Sequence, residues 1–403
     1  MNLILFPKLD NETRKITLIT LLLLSFFGLS IFGFIQGYHH LVSIFLIYVL
    51  LKYRKVDLPY RKIIYMYLLF LLISCIYSAF YNGQPLFKTI GFCSNYLGLI
   101  FSFYLMGQNL SSKQILNCLI FISLLYVIGY ILQWAVYPFP IFSVADNDAS
   151  SLETYRIRIP GSLCAYVLFF YGINKCLEGN KIKYIVYTLL SFFPIIVMGF
   201  RTLTVLSVVF AFLMIWLVKR KLTKILYYLL FFGIVAIGVL QTDIVKDKIA
   251  EMQVRQETGQ TLDNPDYIRW IAYDYFTTEF FNKPGEKIIG GGVPAGTTAY
   301  AKSLSDIAQY NHLYWMDLGL VGLSWLIGIP GVLLLIFLYL MCAWRCNVPN
   351  LQFVRFTILL LVFGSLLTTM ELYRSGNILL FSFLLCYQYK YNKERIANEA
   401  VSI

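Results

Sequence analysis

Apolar blocks of about the length of a membrane span follow one another along almost the whole chain, and that succession leaves few folds open. A soluble domain carries about 25% charged and 45–50% apolar residues. Here the shares are 13% and 59%, and the mean hydropathy is +0.69. A water-filled globule cannot hide that much apolar surface. The expected fold class is therefore an all-α polytopic membrane protein, with about twelve transmembrane helices at about 20 residues per span.

The expected spans run Ile16 to Ile35, Leu41 to Leu51, Ile63 to Phe80, Thr89 to Met106, Ile115 to Tyr137, Gly161 to Gly172, Tyr184 to Met198, Leu203 to Val218, Ile225 to Leu240, Leu318 to Met341, Phe356 to Thr369 and Asn377 to Tyr389. The first lacks a small-residue cleavage site and reads as an uncleaved span. These spans divide the chain into nine helices over 1–241, an extracytoplasmic loop over 242–317, and three helices with a basic tail over 318–403.

Charge sets the orientation. The formal net charge is +12, but the basic residues form short clusters between apolar blocks, such as Lys52, Arg54, Lys55, Arg61 and Lys62. That pattern marks membrane topology rather than a nucleic-acid surface. With the N-terminus inside, alternation gathers most Lys and Arg into short inside segments. Both ends are then cytoplasmic and the long loop is periplasmic or extracellular. The eight cysteines all lie in or beside spans, so neither a disulfide framework nor a metal site is indicated. No cofactor is expected.

The polar run from Asp243 to Gly322 is read as the lid and one wall of a substrate site. Ile244 to Glu257 has the spacing of an amphipathic surface helix. Asp263-Asn264-Pro265-Asp266 signals a second helix over Tyr267 to Phe281. Gly290-Gly291-Gly292 permits close backbone approach to a ligand or another segment, although plain flexibility is the simpler explanation.

Five arginines fall on the outer side, against the topology bias: Arg156, Arg158, Arg201, Arg269 and Arg374. Arg201 stands between two apolar blocks. An arginine at such depth costs about 2.5–3.5 kcal/mol and normally faces a polar cavity; snorkelling to headgroups is the alternative. Arg269 lies near a helix start, where a shared anion would suit it. Arg374 is beside Glu371, with which it can simply pair.

Three pieces in order, Arg158-Ile159-Pro160-Gly161, Gly199-Phe200-Arg201-Thr202, and a long loop ending in Asn311-His312 before Gly319-Leu320-Val321-Gly322, carry a family likeness. The chain resembles the superfamily of bacterial O-antigen polymerases and O-antigen ligases. The resemblance implies a GT-C-like helical fold and a Wzy-like polysaccharide polymerase of the inner membrane. It implies sugars on undecaprenyl diphosphate as substrate, with no metal. It places a substrate-binding arginine at Arg201, another at Arg269 and the catalytic histidine at His312.

In this reading Arg201, Arg269, Arg158, Arg156 and Arg374 bind the diphosphate, bidentately where geometry allows. His312 accepts the acceptor hydroxyl's proton, and the linkage inverts. Tyr310, Asn311, Tyr314 and Asp317 are candidate sugar contacts. The family usually leaves about eleven residues between histidine and Gly-x-x-Gly, and this chain leaves seven. The difference is about one helical turn, so His312 is expected on the same helix face but deeper. Partners beyond membrane lipid would be a chain-length regulator and a flippase. The alternatives are a ligase of the same superfamily and a lipid-linked oligosaccharide flippase or transporter, which usually holds acids within its spans.

Overall fold

A long run of Leu, Ile, Phe and Tyr away from water can satisfy its amides only within itself, which is why these blocks form helices. The structure is a computed structural model. It describes residues 5–27, 38–136, 139, 141–142, 159–179, 182–198, 200–218, 267–366, 371–372, 374 and 376–401. The expected span at Ile225 to Leu240 and the amphipathic stretch at Ile244 to Glu257 lie outside the described residues.

The first group of helices is α1 (Asn11–Phe26), α2 (His39–Tyr53), α3 (Arg61–Tyr81), α4 (Leu86–Phe92), α5 (Phe101–Gly107), α6 (Ser112–Ala135), α7 (Leu163–Glu178), α8 (Ile182–Val197) and α9 (Arg201–Val218). After the long loop begins come α10 (Ile268–Tyr275), α11 (Glu286–Ile289), α12 (Ala299–Asn311), α13 (Gly319–Trp344), α14 (Gln352–Gly364) and α15 (Asn377–Val401). Among the described residues there is no strand. Among the described residues four units are long and apolar enough to cross a membrane: α3, Leu86–Gly107, α6 and Trp315–Trp344. α2, α8, α9 and α14 are apolar but shorter.

The helix starts follow local chemistry. α6 opens on a capping box: Ser111 Oγ accepts from Gln114 N (3.3 Å), and Gln114 Oε1 accepts from Ser111 N (2.9 Å). Between α4 and α5 the chain tightens into a 3-10 helix over Cys93–Ile100. There Gly98 lies against the backbone of α15, where an added Cβ would fall 2.7 Å from Leu379 N. Small residues permit this kind of close approach between membrane helices.

Hydrogen bonds at helix ends fix the direction of each. Gln114 Nε2 donates to Asp10 Oδ2 (2.7 Å) and Ser112 N to Glu394 Oε1 (2.9 Å). Tyr60 Oη donates to Met341 O (3.2 Å), Gln108 Nε2 to Tyr53 Oη (3.0 Å), Tyr389 Oη to Asp57 Oδ2 (2.8 Å) and Asn392 Nδ2 to Arg345 O (3.2 Å). These join the starts of α1, α3 and α6 to the ends of α2, α5, α13 and α15 at one pole, the tail end. At the other pole, the loop end, Tyr126 Oη donates to Ile159 O (3.2 Å), Leu163 N to Asn377 Oδ1 (3.0 Å) and Tyr77 Oη to Pro284 O (2.8 Å). Helices linked in this way alternate in direction, and both α1 and α15 have their chain-terminal ends at the tail end.

α13 is broken. Gly328 has φ 78 and ψ 156, and Pro330 follows without an amide hydrogen. The break leaves the carbonyls of Trp325 and Leu326 without helical donors. The glycine run of the long loop supplies them: Gly291 N donates to Trp325 O (2.6 Å) and Gly292 N to Leu326 O (3.0 Å). Ser74 Oγ of α3 also donates to Leu326 O. The contact is backbone on backbone. A Cβ on Gly290 would fall 2.5 Å from Gly328 N, and one on Gly328 would fall 2.5 Å from Ile288 O and Ile289 O.

On its other side the run meets α3. A Cβ on Gly292 would fall 2.4 Å from Ser78 Cβ. Ser78 and Ser74 precede the α3 terminus by about one and two turns, which is about 5 and 10 Å. The glycines therefore descend into the bundle between α3 and α13. Of the two readings of the run, close backbone approach to another segment holds and plain flexibility does not: the segment packs between two helices. Irregular backbone at such depth is tolerated because protein buries it and satisfies its amides.

Candidate functional site

Beneath the loop end, the turn before α15 ties three helix starts together. Glu371 is wholly buried. Ser162 Oγ, just before α7, donates to Glu371 Oε2 at 2.9 Å. Asn377 Nδ2, at the start of α15, donates to Glu371 O (2.9 Å) and to Glu371 Oε2 (3.3 Å). Arg374 Nε stands 3.0 Å from Glu371 Oε1. That contact pairs the charges, but its angle leaves Oε1 without a well-aligned donor. The Arg374 guanidinium also lies over the Phe200 ring, 4.3 Å from its centroid, and Phe200 is the residue before α9.

The depth of this knot follows from α6. Tyr126, whose hydroxyl reaches Ile159 O beside it, is fourteen residues beyond Ser112 at the tail end, about 21 Å. The hydrocarbon core of a bilayer is about 30 Å thick. The pair Glu371–Arg374 thus stands within the span of the helices, toward the loop end. The Arg374 side chain is 23% exposed and remains accessible. The buried Tyr126, Tyr130 and Tyr166 lie within its electrostatic reach.

The expected arginines meet this site unequally. Arg201 opens α9 directly after Phe200, so its backbone is at the knot; its side chain is outside the described residues. Arg156 and Arg158 also lie outside them, while Ile159 to Ser162, which follow Arg158 in the chain, form one wall. The alternative offered for Arg374 holds: it pairs with Glu371. Arg269 sits in the first turn of α10, half-buried, with its guanidinium 5.7 Å from the Tyr267 ring centroid. α10 is anchored elsewhere, through its own Tyr273 and through Phe276 just beyond its end, on Trp325 at 6.4 and 5.6 Å between ring centroids. No described contact joins Arg269 to Arg374.

His312 does not share a helix with Gly319. α12 ends at Asn311, and His312 caps it in the left-handed region at φ 56 and ψ 24. Leu313 is buried, then a 3-10 turn over Trp315–Leu318 leads into α13. The expectation that His312 sits deeper on a continuing face is therefore corrected: the chain reverses there and His312 is exposed. It makes no hydrogen bond to another described residue. Tyr310 (74% exposed), Asn311 and Asp317 are exposed, and Tyr314 is half-buried.

The histidine hairpin and the Glu371 knot do share a neighbour. A Cβ on Gly319 would fall 2.6 Å from Ser365 O, and Ser365 Oγ accepts from Leu372 N at 2.9 Å.

A second polar cluster was not foreseen. Glu286 is 1% exposed and accepts from Asn82 Nδ2 and Lys283 N, both at 3.3 Å. Asn82 Nδ2 also donates to Gly291 O (2.8 Å), and Lys283 Nζ donates to Tyr81 O (2.8 Å) and to Asn82 Oδ1. This cluster clasps the re-entrant segment to the end of α3. Beside it, burial, and secondarily the Glu286 charge, push the Tyr300 phenol well above its ordinary pKa. Its signal in the sequence is slight: Asn82-Gly83-Gln84-Pro85 reads only as a turn.

No protein-family model matches the chain, and no curated protein matches it.

Proposed function

We propose that the protein is a membrane glycosyltransferase that polymerises oligosaccharide repeat units carried on undecaprenyl diphosphate. Its place is the outer face of a bacterial cytoplasmic membrane, and its product is O-antigen, capsule or exopolysaccharide. The proposal takes the fold as GT-C-like with about twelve spans, both termini cytoplasmic and the long loop outside.

One observation carries this reading. The segment following Arg156 and Arg158, the helix start bearing Arg201, and Arg374 meet at the loop end, and the hairpin that carries His312 leads into Gly319, which packs on Ser365 beside them. An arginine held within the span of the helices, as Arg374 is, is costly unless it serves a polar site. A lipid diphosphate is an anion delivered at that depth.

In the proposed reaction an acceptor hydroxyl oxygen attacks the anomeric carbon. The bond from that carbon to the phosphate oxygen breaks, and the prenyl diphosphate leaves. The arginines stabilise the departing charge through fixed donors in a dry site. His312 takes the hydroxyl proton, and displacement from the opposite face inverts the linkage. No metal enters this scheme.

Complementation of a deletion strain tests it. Wild-type protein restores a ladder of long glycans, while His312→Ala and Arg374→Ala leave single repeat units. Full ladders from both variants would sink the site assignment. Unchanged ladder length with lost attachment to the final carrier would instead indicate the ligase.

The transporter reading has one observation in its favour, the buried Glu371 at the head of α15. It requires lipid-linked precursor to accumulate on the inner face in the deletion strain, where the polymerase reading places it on the outer face.

A further inference from the structure

We infer that Glu371 is a positioning residue: it holds Arg374 so that one edge of the guanidinium is presented to paired phosphates. This inference rests on the lipid-diphosphate reading above.

Three contacts define the geometry. Glu371 pairs its charge with Arg374 on the Nε side, at 3.0 Å, and Phe200 covers a face of the guanidinium at 4.3 Å. The carboxylate is itself immobilised by Ser162 and Asn377, each rooted at the start of a different helix. What remains is the Nη edge, which no described residue occupies, on a side chain that is 23% exposed.

An arginine used only to neutralise a buried carboxylate has no need of a ring beneath it or of an open edge. A guanidinium paired with a fixed carboxylate on its Nε side and stacked on an aromatic has lost much of its rotamer freedom before any anion arrives, and its planar fork matches two phosphate oxygens. Glu371 also lowers the net attraction of the site for anions in general. The pair therefore selects by geometry rather than by charge, and that sets diphosphate against monophosphate.

The test uses the purified full chain in nanodiscs, with farnesyl diphosphate and farnesyl monophosphate as probes and calorimetry as the readout. Wild-type protein is expected to prefer the diphosphate. Glu371→Gln keeps an acceptor for Ser162 and Asn377 but frees Arg374; the diphosphate-to-monophosphate affinity ratio is expected to fall at least fivefold. Glu371→Gln combined with Arg374→Met balances the charge again, so it should elute and melt like wild type, yet show no preference. Arg374→Lys keeps the charge but not the fork, and should lose the ratio.

A purely structural role for Glu371 would lower the yield of folded protein and leave the ratio alone. A ratio within twofold of wild type in Glu371→Gln, or in the double variant, overturns the inference while the parent reading stands. Wild-type protein that binds neither probe overturns both.

Discussion

Gly328→Ala is the sharpest test of the re-entrant loop. The residue holds φ 78 and ψ 156, a region costly for any side chain, at about 1–3 kcal/mol. Its new Cβ would also meet the carbonyls of Ile288 and Ile289 at 2.5 Å. Both are backbone atoms, so no side chain can swing aside. The loop must retreat and break the bonds from Gly291 N to Trp325 O and from Gly292 N to Leu326 O. At about 0.5–1.5 kcal/mol for each bond, the total loss is about 2–6 kcal/mol. That is a large share of an ordinary stability of about 5–15 kcal/mol.

Three residues on, Gly331 has ordinary helical surroundings, with Ile327 Cγ1 at 3.4 Å from an added Cβ. Gly331→Ala should therefore stabilise by up to about 1 kcal/mol. Equilibrium unfolding in mixed dodecylmaltoside–SDS micelles measures both. Equal signs for the two variants, or a Gly328→Ala loss below about 1 kcal/mol, would refute the docking geometry.

Glu286→Ala should cost about 1–3 kcal/mol by leaving the Lys283 amide without its acceptor and Asn82 Nδ2 with Gly291 O alone, and should expose residues 283–293 to limited proteolysis. His312→Gly relieves the left-handed strain at φ 56 and should raise the unfolding free energy by up to about 1 kcal/mol, whereas His312→Ala should not; both should stop chain growth in the complementation assay. Asp10 accepts from the Thr13 amide and from Gln114, which hold its carboxyl below the ordinary range. Its contribution is then present above the unfolded carboxylate pKa of about 4 and disappears as pH falls through the lower folded value. The thermal midpoint should show that acid loss in wild type and not in Asp10→Asn.

The spans were legible wherever apolar residues filled both faces of a helix. α3 and α6 begin within three residues of the expected positions, because Arg61-Lys62 and Ser111-Ser112-Lys113 mark their starts plainly. The ends of α7 and α15 were placed too early. In α7 the polar Asn174 remains buried inside the bundle, so composition turns polar before the helix stops, whereas α15 runs on past Tyr389 as an increasingly exposed polar helix.

The glycine run was harder. A polar, glycine-rich stretch reads as external when its partner is unknown, and that partner is a break in a helix later in the chain. Gly328-Ile329-Pro330-Gly331, inside an apolar run, is the signal that would have revealed it. At the candidate site, pairing of Arg374 with Glu371 follows from their spacing. The Phe200 ring beneath the guanidinium does not, since residues so far apart in sequence meet only through the packing of α9 and α14.

The seam between Ser74 and Leu326 joins residues 252 positions apart. During synthesis α3 enters the bilayer long before α13 exists, carrying Ser74 and Ser78 on a face that the glycines have yet to cover. Until then that face is a polar notch turned toward lipid or toward whatever insertion machinery shields it. Closing the seam is therefore a late event in biogenesis, because neither the glycines nor the broken helix that flank it exist when α3 is made.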